Sequence, residues 1–257
     1  MEITFLGTGT SNGVPVIGCQ CEVCRSVDPR DKRTRSSAIV RVDGQTVLID
    51  TTPELRLQAL ANNITHIDAV VFTHAHADHV AGFDDLRSFN YLNQAPLETY
   101  ADGFTAQLLR ERFAYAFEYP FPFYGGKPDL RLHAVDRDFD IGPTRFRPFP
   151  VSHGRWTVMG FRIHDLVYLT DAKIVPESSL DVMRGAEVLV INGLRERPHP
   201  VHLSIPEALD IITEVRPARA YLTHLSHEVG HAAWSERLPS GVELAYDGLT
   251  VELGDGH

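Results

Sequence analysis

The chain has 257 residues, 43% of them hydrophobic, and sets 24 basic against 34 acidic side chains for a net charge of −10. That composition excludes a disordered chain, holds no apolar run near the ~18 residues of a membrane span, and argues against broad electrostatic binding to nucleic acid. Of 13 histidines and 3 cysteines, the cysteines (Cys19, Cys21 and Cys24) fall within one short segment, which excludes a disulfide framework and points to a reducing, cytoplasmic compartment.

In chain order, residues 1–7 read as a strand without the basic region or cleavage site of a secretory leader. Residues 37–50 read as two strands around the Asp43-Gly44 turn. A helix follows, with Thr52 as its cap, Pro53 in its first position and Asn62-Asn63 at its end. Residues 68–73, with the run Ala69-Val70-Val71-Phe72, predict a strand buried on both faces. From about 84 to 129 the pattern departs from the rest. Between Phe113 and Tyr124 seven of twelve residues are aromatic, which reads either as a packed helix-and-loop excursion over the core or as a lid or dimer surface beside a pocket.

Later strands are expected at 144–151, 158–163, 166–170, 187–191 and 219–222. Helices are expected at 176–184, at 204–215 with a Ser204/Glu207 capping box, and at 228–238. A last hairpin is expected to turn at Asp247-Gly248. Strands early, helices interspersed and hairpins at both ends predict a single α/β domain, an αββα sandwich of two mixed sheets with helices outside.

The sharpest feature is Thr73-His74-Ala75-His76-Ala77-Asp78-His79, directly after the buried strand. Imidazole and carboxylate suit zinc, manganese or iron. Residues i and i+2 of an extended segment point to one side, so His74 and His76 can hold one ion together. A turn then carries Asp78 and His79 toward a second. Elsewhere, Cys19, Cys21 and Cys24 supply three neighbouring thiolates, which need a fourth ligand to complete a tetrahedral zinc site. His227, three residues after His224, is the best fourth ligand.

The His-x-His-x-Asp-His segment resembles that of the metallo-β-lactamase superfamily, and the resemblance covers nearly the whole chain. It implies that Asp50 buttresses the ligands, that His153 completes the first metal set, that Asp171 bridges, and that His224 completes the second set with Asp78 and His79. Leu6-Gly7-Thr8-Gly9, the cysteine segment and Leu222-Thr223-His224-x-x-His227 together resemble the phosphoribosyl cyclic phosphate phosphodiesterases. Those carry two catalytic divalent ions and a structural zinc on three Cys and one His. The pyrroloquinoline-quinone biosynthesis B protein has a related cysteine-rich N-terminus. The family often reads Ser-Asp-Thr around the bridging aspartate, where this chain has Thr170-Asp171-Ala172.

The resemblance further implies a bridging hydroxide as nucleophile and His202 as the acid that protonates the leaving oxygen, with His199 its competitor. Asp78 counts as a catalytic residue as well as a ligand. Arg195 and Arg197, in the same loop as these histidines, could assist with phosphate. The expected substrate is a small anionic, cyclic phosphate ester, with no membrane partner; a homodimer is expected from the family. The alternatives are a tRNA 3′-processing nuclease, a lactone or thioester hydrolase, and a non-catalytic binding protein like the quinone-cofactor relative. The nuclease would need a basic docking arm, and Arg30, Lys32, Arg33 and Arg35 form only a short basic run.

Overall fold

The computed structural model describes residues 1–117 and 126–254. Its strands run β1 (Glu2–Gly7), β2 (Ser37–Val42), β3 (Gln45–Ile49), β4 (Ala69–Val71), β5 (Leu97–Ala101) and β6 (Leu130–Ala134), then β7 (Phe139–Ile141), β8 (Thr144–His153), β9 (Trp156–Ile163) and β10 (Leu166–Tyr168). They finish with β11 (Val188–Asn192), β12 (Arg219–Thr223), β13 (Val242–Leu244) and β14 (Thr250–Glu252). Among the described residues these make two seven-stranded sheets, ordered β14-β1-β2-β3-β4-β5-β6 and β13-β12-β11-β10-β9-β8-β7. Both are mixed: β1–β3 and β7–β10 pair antiparallel, whereas β3–β6 and β10–β13 pair parallel.

Three apolar layers explain the stacking. Alternation along β11 sends Val188 and Val190 into the layer between the sheets, with Ile3, Val40, Val47, Val71 and Phe161. Leu189 and Ile191 face the opposite way, toward the second sheet's helices. β11 is therefore buried along its whole length, as a parallel strand covered on both faces must be. The helices are α1 (Glu22–Arg25), α2 (Leu55–Ala61), α3 (Ala77–Val80), α4 (Leu86–Asn93), α5 (Gly103–Arg112), α6 (Ala114–Phe117), α7 (Glu177–Met183), α8 (Ile205–Val215) and α9 (His231–Ser235). The Ser204/Glu207 capping box is present at α8: Glu207 N donates to Ser204 Oγ at 3.4 Å, and Ser204 N donates to Glu207 Oε2 at 2.8 Å. This is the αββα sandwich expected from the sequence. No helix among the described residues is long and apolar enough to cross a membrane.

Four expectations need correction. α2 begins at Leu55 rather than beside Thr52, because Pro53 and Glu54 form a turn in which Glu54 N donates to Thr52 Oγ1. α9 covers only His231–Ser235, because Gly230 takes extended φ and ψ as its cap. The stretch from 84 to 129 is no excursion in its first half, since β5 sits between β4 and β6 within the first sheet. There Phe113 stacks on Phe83 with ring centroids 4.2 Å apart, and Tyr115 and Phe117 also pack on the core. The other aromatics of that run, from Tyr119 to Tyr124, lie outside the described residues.

Finally, Asp247-Gly248 closes no hairpin: β13 pairs with β12 in one sheet and β14 with β1 in the other. Asp247 instead clamps two other segments. Its Oδ1 accepts from Thr8 N (2.9 Å) and Oγ1 (2.7 Å), and its Oδ2 from Thr34 N (2.7 Å) and Oγ1 (2.6 Å). Asp247→Asn turns one acceptor into a donor facing a backbone N–H. It should lower the unfolding free energy by about 1–3 kcal/mol, read from denaturant midpoints at equal metal loading; an unchanged midpoint would deny the clamp.

Candidate metal centre

Four strand ends and one short helix bring the predicted ligands to a single edge of the sandwich. His74 and His76 follow β4, Asp78 and His79 lie in α3, His153 ends β8, Asp171 follows β10 and His224 follows β12. Asp50, just after β3, joins them from behind. Asp50, Asp171 and His224 turn out of extended backbone with φ of 62°, 57° and 56°. Such left-handed conformations cost about 1–3 kcal/mol each and persist where the surroundings over-determine them.

The ligand atoms of His74, His76 and His153 lie within 4.8 Å of one another, as do those of Asp78, His79 and His224, and those of His74, His79 and Asp171. Asp171 reaches both sets: its Oδ2 is 3.2 Å from His79 Nε2 and its Oδ1 3.2 Å from His224 Nε2, and it also lies within 4.8 Å of the ligand atoms of His74 and His153. The rings are held by their outward nitrogens. His79 Nδ1 donates to Asp50 Oδ2 at 2.8 Å, and His153 Nδ1 donates to the Val201 carbonyl at 2.7 Å. Thr73 Oγ1 spends its proton on Asp50 Oδ2, so it accepts from His74 Nδ1 at 3.0 Å. Ser36 Oγ spends its proton on the Gly9 carbonyl, so it accepts from His224 Nδ1 at 3.3 Å. Four rings are thereby set in the tautomer that leaves an Nε2 lone pair facing the centre. The Nε2 atoms of His74, His79 and His224 are buried without a hydrogen-bond partner.

The electrostatics ask for a cation. Burial pushes the Asp50 carboxyl up and His74 and His224 down. Burial also opposes charge on His79, but Asp171, Asp78 and Asp50 around it raise it well above the usual imidazole range. Against burial, His224 and His79 hold Asp171 well below the carboxylate range, and His79 does the same for Asp78. Three carboxylates thus surround rings turned to offer lone pairs. That donor set fits two divalent cations, with Asp171 placed between both groups.

The thiol cluster is assembled as the spacing suggests. The Sγ atoms of Cys19, Cys21 and Cys24 lie 3.3, 3.5 and 3.7 Å from His227 Nδ1. The backbone N–H of Cys24 helps draw Cys21 down to about 6, whereas burial pushes Cys24 up to about 11. Three sulfurs and one ring nitrogen, all within 4.8 Å of one another, fit one tetrahedral zinc.

His202 lies at the paired centre, its buried Nδ1 3.6 Å from Asp171 Oδ1. Burial, then His224, hold it down to about 3. Its ring centroid is 4.5 Å from that of His153 and 5.1 Å from that of His199. His199 joins none of the ligand clusters found among the described residues. Beside His202 opens a cleft of about 250 Å³ lined by Thr10, Ser11, Asn12, His199 and Ser226, among others. Arg195 and Arg197 both pair with Glu228, at 2.9 and 2.8 Å, and Arg195 lines this cleft. The altered Ala172 costs the centre nothing visible, because Asn192 and Leu203 bind only its backbone N–H and carbonyl.

Sequence reasoning missed the supporting residues Ser36, Thr73 and Glu228, which carry no motif of their own. It also missed Trp156, whose ring lies 4.5 Å from that of His76. The available signal for Trp156 was Gly154, a turn residue just after His153 that could have marked a hairpin.

Comparison with known proteins agrees with this geometry. The profile of the beta-lactamase superfamily domain matches residues 45–225. A protein named octanoyltransferase from Porphyromonas gingivalis (strain ATCC BAA-308 / W83) is 40% identical over 261 residues, covering 99% of this chain but 52% of that protein. This chain therefore spans about half the length of that relative. The crystal structure of a new diphosphatase from the PhnP family superposes with a TM-score of 0.91 at 39% identity, covering 98% of this chain and 97% of the other. Zn(2+)-bound PqqB from Methylobacterium extorquens shares the fold alone, with a TM-score of 0.80 at 21% identity over 98% of this chain and all of the other. With the fold, the strand-end ligand geometry and the profile in agreement, the chain belongs to the beta-lactamase superfamily and has the metallo-β-lactamase fold.

Proposed function

We propose that this chain is a dinuclear metal-dependent phosphodiesterase acting on a small anionic, cyclic phosphate ester. The observation that supports the reading is Asp171, 3.2 Å from His79 and His224 of one set and within 4.8 Å of the ligand atoms of His74 and His153 of the other. Two divalent cations (zinc or manganese, with iron also suited), one on His74, His76 and His153 and one on Asp78, His79 and His224 with Asp171 shared, would neutralise phosphoryl charge and activate a water. A third ion, zinc, belongs to Cys19, Cys21, Cys24 and His227 in a structural role. The similarity to a diphosphatase supports phosphoryl chemistry, and the donor chemistry of the site supports zinc.

His202 handles the proton. Buried beside His224, its ring is neutral while the site holds no anion. An anionic ester against it favours the imidazolium form, which can then protonate the departing oxygen. Asp50 keeps His79 oriented, and Asp78 adds negative charge where the second cation sits. A nuclease reading loses its basic arm: Arg33 is buried against Asp31 and the Ser226 carbonyl, Arg30 pairs with Asp28, and Arg35 with Glu54.

Three measurements test the proposal. His202→Ala should lower turnover of bis(p-nitrophenyl) phosphate by about 100-fold or more at unchanged metal content; full turnover in the variant would deny the acid role. Metal analysis should find two cations at the paired centre and one at the thiols. Cys21→Ser should lose the thiol-bound ion, and chelation of the wild type should abolish turnover; a deficit in the reloaded protein would sink one site or the other. Across a cyclic ribose phosphate, a lactone, a thioester and a precursor tRNA, the cyclic phosphate should react fastest. Faster lactone or thioester cleavage would replace this reading.

A further inference from the structure

The β8–β9 hairpin places a second side chain at the centre besides its predicted ligand. His153 and Trp156 are its last directly opposed pair, so both project from the same face. The turn between them is tight because Gly154 takes φ 62°, and a Cβ there would meet Val201 Cγ1 at 2.9 Å. The Trp156 ring then lies 4.5 Å from that of His76, tilted by 56°. The ring of Phe104, in the first turn of α5, lies 5.4 Å from that of Trp156, centroid to centroid, at 63°. Phe104 is 54% exposed, so its ring surface is open to a planar group.

Neighbouring rings run from Trp156 to His76, to His153 and to His202, with centroid separations of 4.5, 5.1 and 4.5 Å. The proton-handling histidine and the polar cleft with Thr10, Ser11 and Asn12 lie at one end of this row, and the indole at the other. The two ends differ in chemistry: hydroxyls and imidazoles at one, apolar ring surface at the other.

We propose that Trp156, backed by Phe104, determines specificity by stacking a planar aromatic substituent, an aryl ring or nucleobase, on the part of the ester that stays with phosphorus. This rests on the phosphodiesterase reading above, and the following experiment separates the two.

The metal-loaded protein is assayed with bis(p-nitrophenyl) phosphate and methyl p-nitrophenyl phosphate, which share a leaving group and differ only in the retained substituent. In parallel, binding of phenyl phosphate and methyl phosphate is measured by calorimetry. Trp156→Ala should reduce the aryl-over-methyl ratio about tenfold in both kcat/KM and affinity, Trp156→Phe should keep most of it, and Phe104→Ala should reduce it by a smaller factor. Equal losses for aryl and methyl compounds, leaving the ratio unchanged, would mark Trp156 as mere support for His76 and overturn the proposal. So would a wild type without aryl preference in binding. If neither diester is cleaved but the binding preference collapses in Trp156→Ala, the aromatic wall stands and the phosphodiesterase reading falls. If diesters are cleaved with a preference indifferent to Trp156, the reverse holds.

Discussion

An imidazole aims one nitrogen into a site most firmly when the other is held from outside it. At this sandwich edge that condition is met four times over with few groups. One buried carboxylate, Asp50, receives Thr73 N, Thr73 Oγ1 and His79 Nδ1. Because Thr73 has given its proton to Asp50, it orients His74 in turn. A single acid thus sets two rings, and the sheet beneath it fixes the acid. The left-handed turns at Asp50, Asp171 and His224 follow from the same demand, since a chain that continued in extended conformation would carry these side chains past the centre.

Much of this was legible because it is local. Alternation, buried runs and the His-x-His-x-Asp-His spacing depend on residues close in sequence, so the layers, most strands and the candidates at 74–79 could be read directly, whereas His153, Asp171 and His224 came only with the family resemblance. What failed was pairing across distance. Asp43-Gly44 and Asp247-Gly248 are the same dipeptide, yet the first joins paired strands (Val42 opposite Gln45) and the second carries the chain from one sheet to the other. Nothing within either turn distinguishes them; the partner of β14 is β1, almost the whole chain away. β5 was hidden in the same way, a short strand in aromatic surroundings whose identity comes from its neighbours β4 and β6. Charge misled likewise: Arg33 reads as part of a basic run and is in fact wholly enclosed.

The stretch from His224 to Glu228 ties the two ligand clusters together. His224 faces the paired centre, and Leu225 N donates to the Thr8 carbonyl. The Ser226 carbonyl accepts from Arg33, His227 meets the three sulfurs, and Glu228 holds the arginines of the loop that carries His202. The thiol cluster is therefore continuous with the wall of the reacting site rather than a remote staple. Through Glu228 and the arginines it holds, a disturbance at the cysteines has a connected route to the loop that carries His202.

That shared stretch also bears on how the chain matures as it is made. The cysteines and His74 to His79 all precede the segment that completes their clusters. Until His224 and His227 have been synthesised and β12 has joined β11, thiolates and imidazoles alike stand incomplete. Any ion would thus be held only once that shared segment is in place and both sheets close together.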